Sequence, residues 1–224
     1  MTSGVLSLDA CLVVFAAEES RQLLESTSHR IRYTSLHHEA WRLNHSLSFW
    51  VRQFEMDPEA WRHQGPQVYW VWALKSVFVR DVVLENPFNT EYFFWIDIGY
   101  IRDGGYRGRS LRAAVPTLPS HKVLFLLIRP FGDCCGGLSD DHLAGNMWGG
   151  TAGAVLRFRE AFFQTFERLA DAGQFVGKDQ TIMNHVCSEE EGLCSILDPK
   201  KMDRWFFMLP YLLGDDDAWN SWLG

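Results

Sequence analysis

The chain has 224 residues, 21 Lys+Arg against 28 Asp+Glu, and 47% hydrophobic residues, which fits one ordinary globular domain and excludes a disordered polymer. The net charge of −7, with no Lys/Arg run, lacks the electrostatic footprint of a nucleic-acid binder. No stretch reaches the roughly 18 uninterrupted apolar residues of a membrane span, and Met1–Ala17 carries Asp9 within its apolar part and no basic start, so no signal peptide is read there.

A chain of this size buries about 70–75% of its unfolded surface and needs neither disulfide nor metal to hold a core. The five cysteines (Cys11, Cys134, Cys135, Cys187 and Cys194) are odd in number and lack a Cys-x-x-Cys spacing. They read as buried or free thiols of a reducing compartment, with the cytoplasm as the default expectation.

In chain order, Cys11–Ala16 predicts a strand, Glu18–Ser28 a helix and Ile31–Leu36 a second, alternating strand. The polar and aromatic stretch His37–Gln67, broken by Pro58, Gly65 and Pro66, predicts helical pieces and loop lying over the sheet. Val71, Leu74, Phe78 and Val82 recur at helical spacing from Trp70 to Asn86, where Asn86-Pro87 supplies the stop. Tyr92–Ile98 and Val123–Ile128 are almost wholly apolar, the pattern of central strands covered on both faces.

A glycine-rich passage from Gly132 to Gly153 follows. Val155, Phe158, Phe162, Phe166 and Leu169 then mark a long amphipathic helix ending near Gly173. A shorter helix over Lys178–Cys187, a strand over Leu193–Leu197 and an aromatic tail, Trp205–Leu213, complete the pattern. Alternating strands and helices predict one α/β domain around a mostly parallel sheet, with ligands beyond the carboxyl ends of its strands. Residues 1–68 supply the strand–helix–strand opening and its covering segment, and 69–213 carry the motifs.

Asp97, at the end of an apolar strand, is the most informative residue, because an unpaired buried carboxylate is costly. It reads either as a ligand for a divalent cation or acceptor for a sugar hydroxyl, or as an N-cap or ion pair with Arg102 or Arg80. Gly99 lets a bulky ligand approach the backbone, or simply makes a turn. Asp179 opens a helix, as an N-cap or as an acid–base group, while Gln180 and Asn184 share one helical face able to bind hydroxyls. Trp148, beside Gly149 and Gly150, either stacks on a sugar ring or plugs the core. Trp41, Trp50, Trp61 and Trp70 show no period and read as core or cleft wall. Phosphate-loop, dinucleotide and nucleophile-elbow motifs are all missing, and His37-His38 lacks zinc-ligand partners.

Taken in order, Trp72-Ala73-Leu74-Lys75, Phe94-Trp95-Ile96-Asp97-Ile98-Gly99, Gly145-Asn146-Met147-Trp148-Gly149-Gly150 and Gly177-Lys178-Asp179-Gln180-Thr181-Ile182-Met183-Asn184 resemble the HtrL/YibB family of glycosyltransferase-like proteins. More distantly they resemble nucleotide-sugar transferases of the GT-A type. The resemblance implies a Rossmann-like GT-A domain that moves a sugar from a nucleotide donor to a carbohydrate or other hydroxyl acceptor. It implies Lys75, Asp97, Gly99 and Arg102 on the donor side, Trp148, Gly149, Gly150, Gln180 and Asn184 on the sugar or acceptor side, and Asp179 with Asp97 in catalysis.

The resemblance also implies a divalent Mn or Mg ion on Asp97. Gly99, however, stands where the second Asp of an Asp-x-Asp motif belongs, which leaves Asp103 as a substitute ligand. Lys75, Arg102, Arg107 or Arg109 are the alternative sources of positive charge for a leaving diphosphate. The competing expectation is a non-catalytic nucleotide- or carbohydrate-binding module on the same fold.

Overall fold

The computed structural model describes residues 4–20, 31–35, 43–102, 105–111, 118–132, 137–200 and 203–215. Two sheets appear among them. β1 (Leu12–Ala16) and β2 (Ile31–Ser35) pair in parallel, with Leu12 opposite Ile31. Between them residues 18–20 are helical, and the rest of the helix expected over Glu18–Ser28 lies outside the described residues. The larger sheet has the order β3-β5-β4-β6, formed by β3 (Tyr92–Ile96), β4 (Val123–Leu126), β5 (Met147–Thr151) and β6 (Cys194–Leu197).

This sheet corrects the mostly parallel expectation. β5 runs antiparallel to both β3 and β4, and only β4 and β6 pair in parallel. The fold is mixed α/β. The cause lies in the glycine-rich passage, to which the sequence pattern assigns no strand, where Met147–Thr151 inserts as a reversed strand between β3 and β4. Its glycines make that fit possible: a Cβ on Gly149 would lie 2.2 Å from the Phe93 carbonyl oxygen, and one on Gly150 would lie 2.8 Å from that of Lys122.

Among the described residues, four longer helices and one short helix are complete: α1 (Leu47–Met56), α2 (Gln67–Glu85), α3 (Ala152–Asp171), α4 (Asp179–Glu189) and α5 (Met208–Leu212). Ser46 caps α1 by accepting from the Phe49 amide, and Thr151 caps α3 by accepting from Ala154. α2 stops at Asn86, which turns left-handed (φ 40°, ψ 59°) before Pro87 and locks the turn by bonding both backbone groups of Thr90.

β4 shows why a strand reads as a continuous apolar run. Val123 and Phe125 enter the core formed with α1–α4, where Trp50, Trp148, Phe158, Phe162 and Phe166 pack. Leu124 and Leu126 enter a second core with Phe207, Met208, Leu209 and Tyr211 on the opposite face. β3, by contrast, is an edge of its sheet, and among its residues only Phe93 is fully buried. Its apolar character therefore serves a cavity wall rather than a central position.

Cys187 and Cys194 form a disulfide joining the end of α4 to β6, which corrects the free-thiol expectation and removes the thiol argument for a reducing compartment. Cys11 is free and exposed, and Cys134 and Cys135 lie outside the described residues. No described helix is long and apolar enough to cross a membrane.

Candidate active site

A cavity of about 1310 Å³ is bounded by β1, one face of α2 and the whole of β3. α2 is apolar on two sides for this reason. Tyr69, Trp70, Ala73 and Leu74 enter the core, while Val71, Phe78 and Val82 line the cavity, and Phe78 stacks on Phe15 of β1 with ring centres 4.5 Å apart. The wall is mostly apolar, and its polar groups gather where Lys75 meets the carboxyl end of β3 at Asp97, Ile98 and Gly99.

At that end Asp97 leaves the strand with its amide donating to the Asn146 carbonyl at 2.9 Å. Its side chain is 40% exposed. Oδ1 accepts from the Trp95 indole N–H at 2.6 Å and lies 3.4 Å from the Lys75 ammonium, and neither contact uses Oδ2. An open, oriented carboxylate results. A Cβ placed on Gly99 would meet nothing within 4 Å, so the space beside Asp97 is clear.

Lys75 is almost wholly buried, its side chain 6% exposed. It donates to the Gly145 carbonyl at 2.9 Å and stands 3.1 Å from Asp179 Oδ2, so one ammonium joins α2, β3, the turn before β5 and the start of α4. Burial alone would pull its pKa down, but the charges of Asp179 and Asp97 outweigh that and raise it. Lys75 is therefore held charged inside the protein.

Asp179 is the first residue of α4, with Lys178 in the cap position, and its side chain is 4% exposed. Oδ1 accepts from the Gln180 amide at 3.0 Å. Burial pushes its carboxyl pKa up, and Lys75 opposes that shift. Asp179 does not line the cavity. Asp179 is the buried counter-ion that fixes Lys75.

The residues expected on the sugar side are used elsewhere. Trp148 is fully buried between Phe125 and Phe158, with ring centres at 5.9 and 5.4 Å, so the core reading holds. Gly149 and Gly150 are the close-pairing glycines of β5. Gln180 donates to the Leu143 carbonyl at 2.6 Å, and the fully buried Asn184 donates to the carbonyls of Leu138 and Asp140 at 2.9 and 2.7 Å. These amides fasten the 138–143 segment to α4 rather than presenting a face for hydroxyls.

On the donor side Arg102 is exposed, its guanidinium 4.7 Å above the Phe206 ring. Arg107 is exposed, and Arg109 pairs with Asp215 at 3.7 Å. Asp103 lies outside the described residues. No group of three His, Cys, Asp or Glu among the described residues is arranged to hold a metal ion, and Asp97 by itself, with an ammonium alongside, does not make a cation site.

Sequence reasoning missed the second tier of the site. Trp95 orients Asp97, and Gly145 leaves room for Asp179, whose carboxyl oxygens would lie 3.1 Å from any Cβ there. Gly145 was visible as part of a motif, but only the fold reveals that its carbonyl is the Lys75 acceptor.

No curated protein matches the chain. Residues 42–152, however, match the family described as bacterial proteins of unknown function (HtrL_YibB), a stretch that contains Lys75, Asp97, Gly99, Gly145 and Trp148 and stops before Asp179. Over residues 42–152 the chain is thus similar to the HtrL/YibB family.

Proposed function

We propose that this chain is a glycosyltransferase that moves a sugar from a nucleotide donor to a hydroxyl acceptor. The observation that carries the reading is Asp97: a half-exposed carboxylate at the carboxyl end of β3, fixed by Trp95 and Lys75, at the polar end of a large cavity beside the open backbone of Gly99. Such a group accepts a hydrogen bond from a sugar or ribose hydroxyl, or takes the proton of an attacking hydroxyl. Its orientation is preset before any ligand arrives, which limits the reorganisation needed during reaction. Arg102, exposed a short way past Gly99, is the nearest cation in sequence free to meet a diphosphate, since Lys75 is enclosed.

The burial of Asp179 away from the cavity favours a second reading, a module that binds nucleotide or carbohydrate without turnover. One experiment separates them. Folded protein is incubated with UDP-, GDP- and CDP-linked hexoses, with and without Mn²⁺, while released nucleotide and thermal shift are recorded. Nucleotide release that Asp97→Asn abolishes supports the transferase. A thermal shift without release supports the module, and neither response to any donor refutes both.

A further inference from the structure

The cavity between β1, α2 and β3 extends well beyond the end at which Asp97 stands. Its volume of about 1310 Å³ exceeds the roughly 300–1,000 Å³ of common small-molecule sites. Back from Asp97 the wall follows Tyr92–Ile96, a strand of 5 residues and so about 16 Å long. Facing that strand are Phe15 of β1 and Val71, Phe78 and Val82 of α2. Beside Asp97, Ile98 also lines the cavity and is 49% exposed. Water against so apolar a wall forgoes the burial that a hydrocarbon chain would obtain there.

The charged groups of the lining select the head of such a ligand. Among the described lining residues the carboxylates are Asp9, Glu91 and Asp97, and the one cationic side chain is Lys75, already 3.4 Å from Asp97 and 3.1 Å from Asp179. This balance repels a diphosphate, a fatty carboxylate or a phospholipid phosphate. A second ammonium at Asp97 would meet Lys75 at the same end. A hydroxyl suits both neighbours, because it is uncharged and donates to Asp97, whose Oδ2 takes no part in the Trp95 and Lys75 contacts.

We infer that the cavity holds a neutral long-chain alcohol, with its hydroxyl at Asp97 and its hydrocarbon along β3, and that this lipid is the acceptor. The role of acceptor rests on the glycosyl-transfer reading, whereas the binding does not. In the transfer the hydroxyl oxygen bonds to the anomeric carbon of the donor sugar while the bond from that carbon to the diphosphate breaks. The nucleoside diphosphate leaves, and the hydroxyl proton passes to Asp97. The donor meets Asp97 from the solvent side, past the open backbone of Gly99 and the exposed Arg102.

Binding is read on the full chain, without donor, as displacement of Nile red by octanol, decanol and dodecanol, with dodecanoate and dodecylammonium as charged counterparts. Burying one methylene is worth about fourfold in affinity, so each lengthening by two methylenes should tighten binding about tenfold. Dodecanol should bind about tenfold or more tightly than either charged counterpart. Val82 lies about two turns beyond Lys75, toward the Asn86–Thr90 turn that leads into β3. Val82→Trp narrows that far end and should cost dodecanol about tenfold but octanol about threefold or less.

No displacement, an affinity independent of chain length, or a charged counterpart that binds as tightly as dodecanol overturns the inference. Those readouts need only the parent chain and decide the matter even where Val82→Trp fails to fold, which circular dichroism checks. A folded Val82→Trp chain that binds dodecanol like the parent overturns it as well. Nucleotide release from UDP-, GDP- and CDP-linked hexoses on the same preparation keeps the two readings apart, and release stimulated by dodecanol is the expected result. Release without alcohol binding sinks the lipid acceptor and leaves the transferase standing. Graded alcohol binding without release sinks the transferase and retains the lipid pocket.

Discussion

Lys75→Met tests the electrostatic centre of the molecule. Methionine keeps much of the lysine stem volume and removes the charge, leaving Asp179, 4% exposed, as a buried carboxylate without its cation at 3.1 Å, and the Gly145 carbonyl without its donor at 2.9 Å. Breaking a buried pair by deleting one partner costs about 3–5 kcal/mol. The stranded carbonyl belongs to the same loss and is not added to it.

Protonation of Asp179 limits the penalty, and this gives the effect a pH signature. A carboxyl whose pKa is raised in the folded state, as burial raises that of Asp179, contributes stability that is complete below its unfolded value and disappears as pH rises through the folded value. Without Lys75 that pKa rises further. The destabilisation by Lys75→Met should therefore be largest at pH 8 and shrink as the solution is acidified.

Urea unfolding followed by circular dichroism, on the two single variants Lys75→Met and Asp179→Asn and on the double variant, completes a thermodynamic cycle. The double variant should fall short of the summed singles by about 1–3 kcal/mol, because removing one charge strands the other and removing both strands neither. Additivity within about 0.5 kcal/mol, or a Lys75→Met penalty independent of pH, would refute the buried clamp.

Two glycines give opposite outcomes under the same change. Gly149→Ala drives a Cβ to 2.2 Å from the Phe93 carbonyl oxygen and 2.6 Å from the Phe94 Cα, and backbone cannot swing aside as a side chain does, so the cost should be about 3 kcal/mol or more in a melt. Gly99→Ala meets nothing within 4 Å and should stay within about 0.5 kcal/mol of the parent. A stable Gly149→Ala protein would contradict the β3–β5 register. Reducing the Cys187–Cys194 bond, which closes a loop of sequence separation 7, should lower stability by about 2–3 kcal/mol. A Cys187→Ser/Cys194→Ser chain melting at the parent temperature, with and without dithiothreitol, would show that the bond does not contribute.

By itself, the sequence determined the elements whose periodicity is strong and local. The Phe158–Phe162–Phe166 stripe of α3, the Asn86-Pro87 stop of α2 and the doubly buried run of β4 were legible because side-chain spacing and proline sterics act within a few residues. The same holds for Asp97 as a strand-end carboxylate and for Lys75 and Asp179 as members of one motif set.

Tertiary structure alone decided how those pieces meet. The glycine-rich stretch around Met147–Thr151 has no strand signature, because its glycines are selected by how closely Phe93 and Phe94 approach across the ladder, a distance between residues over fifty positions apart. Likewise nothing in the local sequence distinguishes Trp148, sealed in the core, from Trp61, open to solvent, since indole burial depends on what packs over it. The roles of Lys75 and Asp179 followed the same rule: both residue types normally face water, and only the folded chain, by bringing the Lys75 ammonium of α2 to 3.1 Å from the Asp179 carboxylate of α4, made their charges each other's solvent.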